Sequence, residues 1–339
     1  MTTSREKVQT IFNLKNSNEG AFWTGNPSDE IIPKIAAEWE IEPSKEAIYR
    51  FLNDDCRWVN ANLGYKHPDG LLAFDPSYGM VRDSLSAEGC LAHVETIAEI
   101  DAYPWPDVEY CDFTEIYEQI DQFSDKMVFT GLWSGFFYIT STFFGMENYF
   151  IKMYEAPELV EAVSERIVDF YVSANDMFFR GLDNRADVMF IGNDFGTQLD
   201  LFVSPELFRK FVLPYLKRLI NVGKKHGKKI MLHSCGSIAR IIPDLIDAGI
   251  DALHPIQAQA FGMSAVDLAQ YKNHIAFVGG IDAQSFIVNA APMEIEAEVQ
   301  RVRDILGPNL VISPSHEQVL PNVPPANILA MSKAALRQK

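Results

Sequence analysis

From about residue 125 the chain alternates short apolar runs with longer stretches whose apolar residues recur at helical spacing. Lys126–Gly131, Asp187–Gly192, Lys229–Gly236, Asp251–Ile256, Ile275–Gly280 and Leu310–Ser313 are brief apolar runs that predict strands. Between them, Glu158–Phe179, Ser237–Ala248, Ser264–Tyr271, Pro292–Leu306 and Pro325–Leu336 predict helices. Ser204-Pro205 forms an N-cap followed by proline in the first turn, where a missing N–H costs nothing. The helix it opens runs toward Gly227, and Pro214 inside it predicts a kink. The first 125 residues are less regular, divided by Pro27, Pro33, Pro43, Pro68, Pro76, Pro104 and Pro106, with helices expected over Met1–Leu14 and Ser44–Leu52.

Strands alternating with helices at this spacing mean βαβ units and a parallel sheet. The runs lack strict two-residue alternation, as expected when both faces of a sheet are covered. Neither GxGxxG nor GxxxxGK[ST] occurs, which disfavours an open dinucleotide-binding sheet. Polar residues instead follow strand after strand: Asn193 and Asp194, His233 to Cys235, His254 and Gln257, Asp282, and Ser313 to Glu317. Barrels gather chemistry in this way at one face. The expectation is an α/β protein with a single (β/α)8 TIM-type barrel over residues 1–339: helices and irregular segments in 1–125, regular βα units in 126–339.

Composition changes this picture little. Lys plus Arg number 29 against 46 Asp plus Glu, a formal charge of -17, which repels a phosphate backbone or an anionic membrane. No nucleic-acid or membrane partner is expected. No apolar run approaches the roughly 18–20 residues of a membrane span, and the N-terminus has no signal-peptide core, so a cytoplasmic location is expected. Cys56, Cys90, Cys111 and Cys235 lack CxxC spacing and read as free thiols, one of which can carry chemistry.

His233-Ser-Cys235 is the sharpest chemical signal. Residues i and i+2 of a strand point to one side, so an imidazole and a thiolate converge there, and both suit zinc. After the last strand, His316 and Glu317 can lie across the same rim: His316 as a further ligand, Glu317 as ligand or base. Asp194 and Asp282 stand at strand ends, each either a site residue or a cap of the local turn, and Gln257 and His254 close another strand, where either can hydrogen-bond a ligand. Trp133 and Phe136, in the segment Trp133-Ser-Gly-Phe-Phe137, offer an aromatic platform for a flat cofactor or serve as core.

These residues carry a resemblance. Gly192-Asn-Asp-Phe-Gly-Thr-Gln198, Ser204-Pro-Glu-Leu-Phe208, His233-Ser-Cys-Gly236, the run Ile242 to Gln257, Gly279-Gly-Ile-Asp282 and Pro324-Pro-Ala-Asn-Ile328 resemble the uroporphyrinogen decarboxylase superfamily, and within it the corrinoid-dependent methyltransferases. The resemblance implies a distorted (β/α)8 barrel. It also implies zinc and a methyl group moved between methylcobalamin on a separate corrinoid protein and a small-molecule donor or acceptor. The His-x-Cys pair of that branch falls on His233 and Cys235. Its later cysteine ligand falls where this chain has Ser315-His316-Glu317. True decarboxylases of the superfamily use no metal and carry an arginine-rich N-terminal segment, whereas this chain reads Phe22-Trp-Thr-Gly-Asn-Pro27, with no arginine from there until Arg50.

Zinc-dependent methyl transfer is therefore the leading expectation. A metal-independent decarboxylase of an acidic substrate is the alternative, and it requires a basic cluster at the barrel mouth from Arg5, Arg50, Arg57 or Arg82. A non-catalytic corrinoid or small-molecule binding module is a third reading. A homodimer is compatible with the pattern. His316, rather than Glu317, is expected as the third protein ligand; two histidines and one thiolate leave a site charge near +1 and a fourth position for substrate.

Overall fold

The computed structural model describes residues 2–17, 19–81, 84 and 87–337; Met1 and Arg82, which figure in the expectations above, lie outside the described residues. Among the described residues ten strands are formed: β1 (Ala21–Phe22), β2 (Asn26–Pro27), β3 (Cys56–Asn60), β4 (Met127–Gly131), β5 (Val188–Gly192), β6 (Lys229–His233), β7 (Ala252–Ile256), β8 (Ala276–Ile281), β9 (Leu310–Pro314) and β10 (Gln318–Val319). Eight of them make one sheet in the order β1-β9-β8-β7-β6-β5-β4-β3, parallel throughout, with helices outside it. This is the expected (β/α)8 barrel, nearly closed.

Closure falls between β1 and β3, where two-residue β1 is too short to build a ladder. One backbone bond, from the Asp55 amide to the Phe22 carbonyl at 3.0 Å, crosses the gap. Two buried carboxylates supply the rest. Asp55 accepts the Phe22 amide at 3.0 Å, and Asp54 accepts the Thr24 amide at 2.6 Å and the Cys56 amide at 3.0 Å. Asp55 is also held by Ser4 at 2.7 Å and by the Lys7 ammonium at 2.8 Å. Burial pushes the Asp54 carboxyl up to about 7, against the opposing pull of the Thr24 hydrogen bond and the Arg57 charge.

The interior is packed, not hollow. Helix Ser4–Phe12 closes the end of the barrel near the strand N-termini with Val8, Ile11 and Phe12, and Phe12 stacks on Phe129. Above them Trp23, Phe129 and Phe190 meet edge to face, with ring centroids 5.1–6.1 Å apart. This aromatic layer is the floor of the functional face.

Two local expectations change, and two strands go unforeseen. The run over Lys229–Gly236 leaves the strand at His233, so Cys235 sits in the loop beyond it. Pro214 does not kink one helix; the chain breaks at Val212 into Pro205–Phe211 and Leu213–Lys225, with proline in the first turn of the second. Strands β1 and β3 escape the sequence pattern, because β1 has two residues and β3 carries Arg57 on its outer face, buried against Glu46 at 2.8 Å and over the Tyr49 ring.

The seam generates two tests. Asp55→Ala strands the buried Phe22 amide and the Lys7 cation and should lower unfolding free energy by about 3 kcal/mol, read from urea denaturation. The folded chain holds the Asp54 proton more tightly than the unfolded chain does, so wild type should gain stability relative to Asp54→Asn as pH falls from about 8 to about 5. A constant difference across that range would contradict the assignment.

Candidate metal centre

The C-terminal ends of β5, β6 and β7 and the loop after β9 converge over the aromatic floor. The β5 end is stapled by buried Asn193, whose Oδ1 accepts the Phe137 amide at 3.0 Å and whose Nδ2 donates to the Ser134 carbonyl at 2.9 Å. Gly192 has no room for a side chain: a Cβ there would stand 1.8 Å from the Trp133 ring. The β6 exit is held by Gln257, whose Oε1 accepts the Gly236 amide at 2.7 Å and the Gln198 side-chain amide at 3.2 Å. Gly236 turns there with φ +84°, against the Gly196 carbonyl.

His233 lies at the centre, buried, with both nitrogens engaged. Its Nε2 is 3.5 Å from Cys235 Sγ and 3.3 Å from Asp194 Oδ1. Its Nδ1 is 3.1 Å from Nδ1 of His254, a fully buried ring packed against Trp23 and Phe190. Two facing ring nitrogens make a hydrogen bond only if one carries the proton. For His233 Nε2 to offer its lone pair, its Nδ1 must donate to His254. His254 then has to be neutral there, and burial, reinforced by His233 and His316, holds its pKa well below the usual histidine value. Asp194 also accepts the Cys235 amide at 2.8 Å. Burial would raise the Asp194 pKa, but the His233 bond and charge and the Cys235 amide leave it lowered. The Cys235 thiol is pushed strongly upward by burial and by the Asp194 and Glu317 carboxylates, so a cation is needed to make it a thiolate.

The loop after β9 returns over Cys235 because β10 pairs with β2, Gln318 opposite Asn26 and Val319 opposite Pro27. Glu317 Oε2 is buried without a hydrogen-bond partner, 3.8 Å from His233 Nδ1 and 3.5 Å from His316 Nδ1. His316 is 40% exposed, and its Nδ1 accepts the Gln318 amide at 3.0 Å. Among the described residues the donors form two triads that share Cys235: Asp194, His233, Cys235 and Cys235, His316, Glu317.

Beside Asp194 opens a cleft of about 390 Å³, walled by Trp133, Tyr138, Tyr171 and Asn62. Trp133 also tilts over the His233 ring at 5.0 Å. Asn62, Tyr138 and Tyr171 escape the sequence reading, since no motif marks them and they come from the turn after β3 and from two helices. Phe136 is buried against Tyr215 rather than placed in this wall. The Asp282 carboxylate caps the turn that follows β8, accepting the amides of Gln284, Ser285 and Phe286.

Comparison with known proteins bears on this arrangement. The uroporphyrinogen decarboxylase (URO-D) family model matches residues 90–338. The chain belongs to the URO-D family. Among curated proteins it is similar to the methylcobamide:CoM methyltransferase MtbA of Methanosarcina mazei, 23% identical over 162 residues, which span 47% of this chain and 44% of that relative. Among solved structures it shares the fold of a methyltransferase from Methanosarcina mazei, with a TM-score of 0.71, 15% identity and coverage of 99% and 98% of the two chains.

The donor set of this URO-D family member fits zinc. Bonds of about 2.0–2.1 Å to nitrogen or oxygen and about 2.3 Å to sulfur, at a tetrahedral angle, place nitrogen and sulfur about 3.5 Å apart and nitrogen and oxygen about 3.3 Å apart. His233 Nε2 stands 3.5 Å from the Cys235 sulfur and 3.3 Å from the Asp194 oxygen. If His254 orients the His233 ring, His254→Phe should keep the fold yet weaken zinc binding by roughly 10–100-fold, measured by competition with a chromophoric chelator. Unchanged affinity would remove His254 from that role.

Proposed function

We propose that this chain is a zinc-dependent methyltransferase that moves a methyl group between a corrinoid protein and a small acceptor or donor. The observation that carries the reading is the spacing of His233 Nε2, Cys235 Sγ and Asp194 Oδ1, at the face where barrels place their chemistry. The similarity to a methylcobamide:CoM methyltransferase supports the corrinoid part, with methylcobalamin carried by the separate partner.

In this reading His233, Cys235 and Asp194 are the ligands. The sequence favours His316 for the third place, whereas the separations favour Asp194. One imidazole, one thiolate and one carboxylate around a dication give a neutral site, the charge that a second cysteine would have provided. The zinc, when bound, makes a thiol or hydroxyl acceptor more acidic. The acceptor lies in the cleft against Trp133, Tyr138 and Tyr171. Glu317 Oε2, buried and without a hydrogen-bond partner, takes the proton the acceptor releases. Trp133 shields the inner face of His233, while His254 holds its tautomer. Gln257 and Asn193 keep the two loops in register. His316, at the lip, steadies Glu317.

The decarboxylase alternative needs cations over the mouth. Arg5 is bound to Asp187, Arg50 to Glu46, and buried Arg57 to Glu46 on the outside of β3. None of the three lines the cleft, and no lysine or arginine is among its described lining residues.

Purified protein should hold near one zinc per chain by elemental analysis. His233→Ala and Cys235→Ala should lose it, and Asp194→Asn should weaken it by at least tenfold. Glu317→Gln should keep the metal and cut turnover by roughly 10²–10⁴-fold. Loss of zinc in His316→Ala with retention in Asp194→Asn would return the third place to His316, and no zinc in the wild type would sink the proposal.

A further inference from the structure

A second cavity lies in the long excursion between β3 and β4, away from the metal donors. It encloses about 300 Å³, at the lower end of small-molecule sites, which run from about 300 to 1,000 Å³. One wall is aromatic through Tyr78, Tyr103 and Trp105, with neighbouring ring centroids 5.5 and 4.8 Å apart. The other wall is built by Tyr65 and Tyr110, centroids 6.2 Å apart, with His67 4.5 Å from Tyr110.

The rings are fixed before any ligand arrives. The Tyr103 hydroxyl accepts the Asp75 amide at 2.8 Å and donates to the Asp75 carbonyl at 3.2 Å. The Trp105 indole N–H donates to the Ile100 carbonyl at 2.9 Å. Their polar handles are thus engaged with backbone, which leaves π-faces and edges to meet an occupant. Asp75 and Asp107 also line the cavity, each with one carboxylate oxygen capping its own turn. No lysine or arginine is among the described lining residues, and Lys66 is paired with Glu115 and Asp112.

Ring faces carry negative quadrupole potential and attract cations, most strongly when the cation sheds water easily. Two carboxylates and a chain of net charge -17 add to that preference. A primary ammonium would keep its water and seek the carboxylates alone, whereas a methylated ammonium is poorly hydrated and suits rings and carboxylates together. We propose that this cavity is a binding site for a small quaternary ammonium cation, held by the aromatic walls and the Asp75 and Asp107 carboxylates. The site is separate from the metal centre but not remote from it: Tyr65 and Phe74 pack on Phe170, Phe74 packs on Tyr171, and Tyr171 lines the cleft beside Asp194.

The test is calorimetric titration of the full chain with choline and, in parallel, with 3,3-dimethylbutan-1-ol, its uncharged isostere, at fixed ionic strength. Choline should bind at least tenfold more tightly than the isostere. Trp105→Ala should weaken choline about tenfold or more. Trp105 also packs on Tyr103 and Phe143, so Asp107→Asn, which keeps the turn and removes the charge, should independently weaken choline several-fold without changing the melting temperature. His233→Ala should bind choline as wild type does, which separates this cavity from the metal centre. Equal affinity for choline and its isostere, no binding of either, wild-type affinity in Asp107→Asn, or loss of binding in His233→Ala would each overturn the proposal.

Discussion

A buried imidazole serves a metal only if one ring nitrogen has surrendered its proton and the other has somewhere to place it. With its Nδ1 3.1 Å from that of His254, His233 has a place for one ring proton, and its Nε2, 3.3 Å from Asp194 and 3.5 Å from Cys235, is the nitrogen left to face a cation. A proton donated across that contact requires a neutral His254, and the neutral state follows from where the ring sits: fully buried in the barrel interior, between Trp23 and Phe190. The aromatic layer that fills the barrel therefore sets the chemistry above it. Packing, protonation and ligand geometry form one chain of cause, running from Phe129 and Phe190 through His254 to His233 and the Cys235 sulfur.

Much of the fold is legible in the sequence, because βα units in the later two thirds announce themselves by period and length. The strands β4 to β9 follow apolar runs that both faces of a covered barrel demand. What resists reading is the closure. A two-residue strand has no periodicity, and β3 hides an arginine that is buried only because Glu46 and Tyr49 come to meet it. The seam depends on Asp54 and Asp55, which in a sequence look like solvent-facing turn residues. Their task arises from tertiary proximity to Phe22 and Thr24, and no local pattern carries that information.

The site divides in the same way. His233 and Cys235 are visible because their spacing and their place at a strand end are local. Asp194 is visible as a strand-end carboxylate, but its nearness to His233 Nε2 depends on the pairing of β5 with β6, Gly192 opposite His233. The partnership of His233 with His254 likewise arises from the pairing of β6 with β7. Asp282, also at a strand end, accepts three backbone amides on its carboxylate and so caps the turn after β8. Glu317 differs in keeping a buried oxygen without a hydrogen-bond partner.

The account turns on whether His233, Cys235 and Asp194 surround one zinc ion. X-ray absorption at the zinc edge of the purified protein addresses this directly. The account predicts a four-coordinate first shell with one sulfur at about 2.3 Å and the remaining nitrogen and oxygen ligands at about 2.0–2.1 Å, in which the sulfur contribution vanishes in Cys235→Ser. A shell without sulfur in the wild type, or one whose sulfur persists after that substitution, would contradict it.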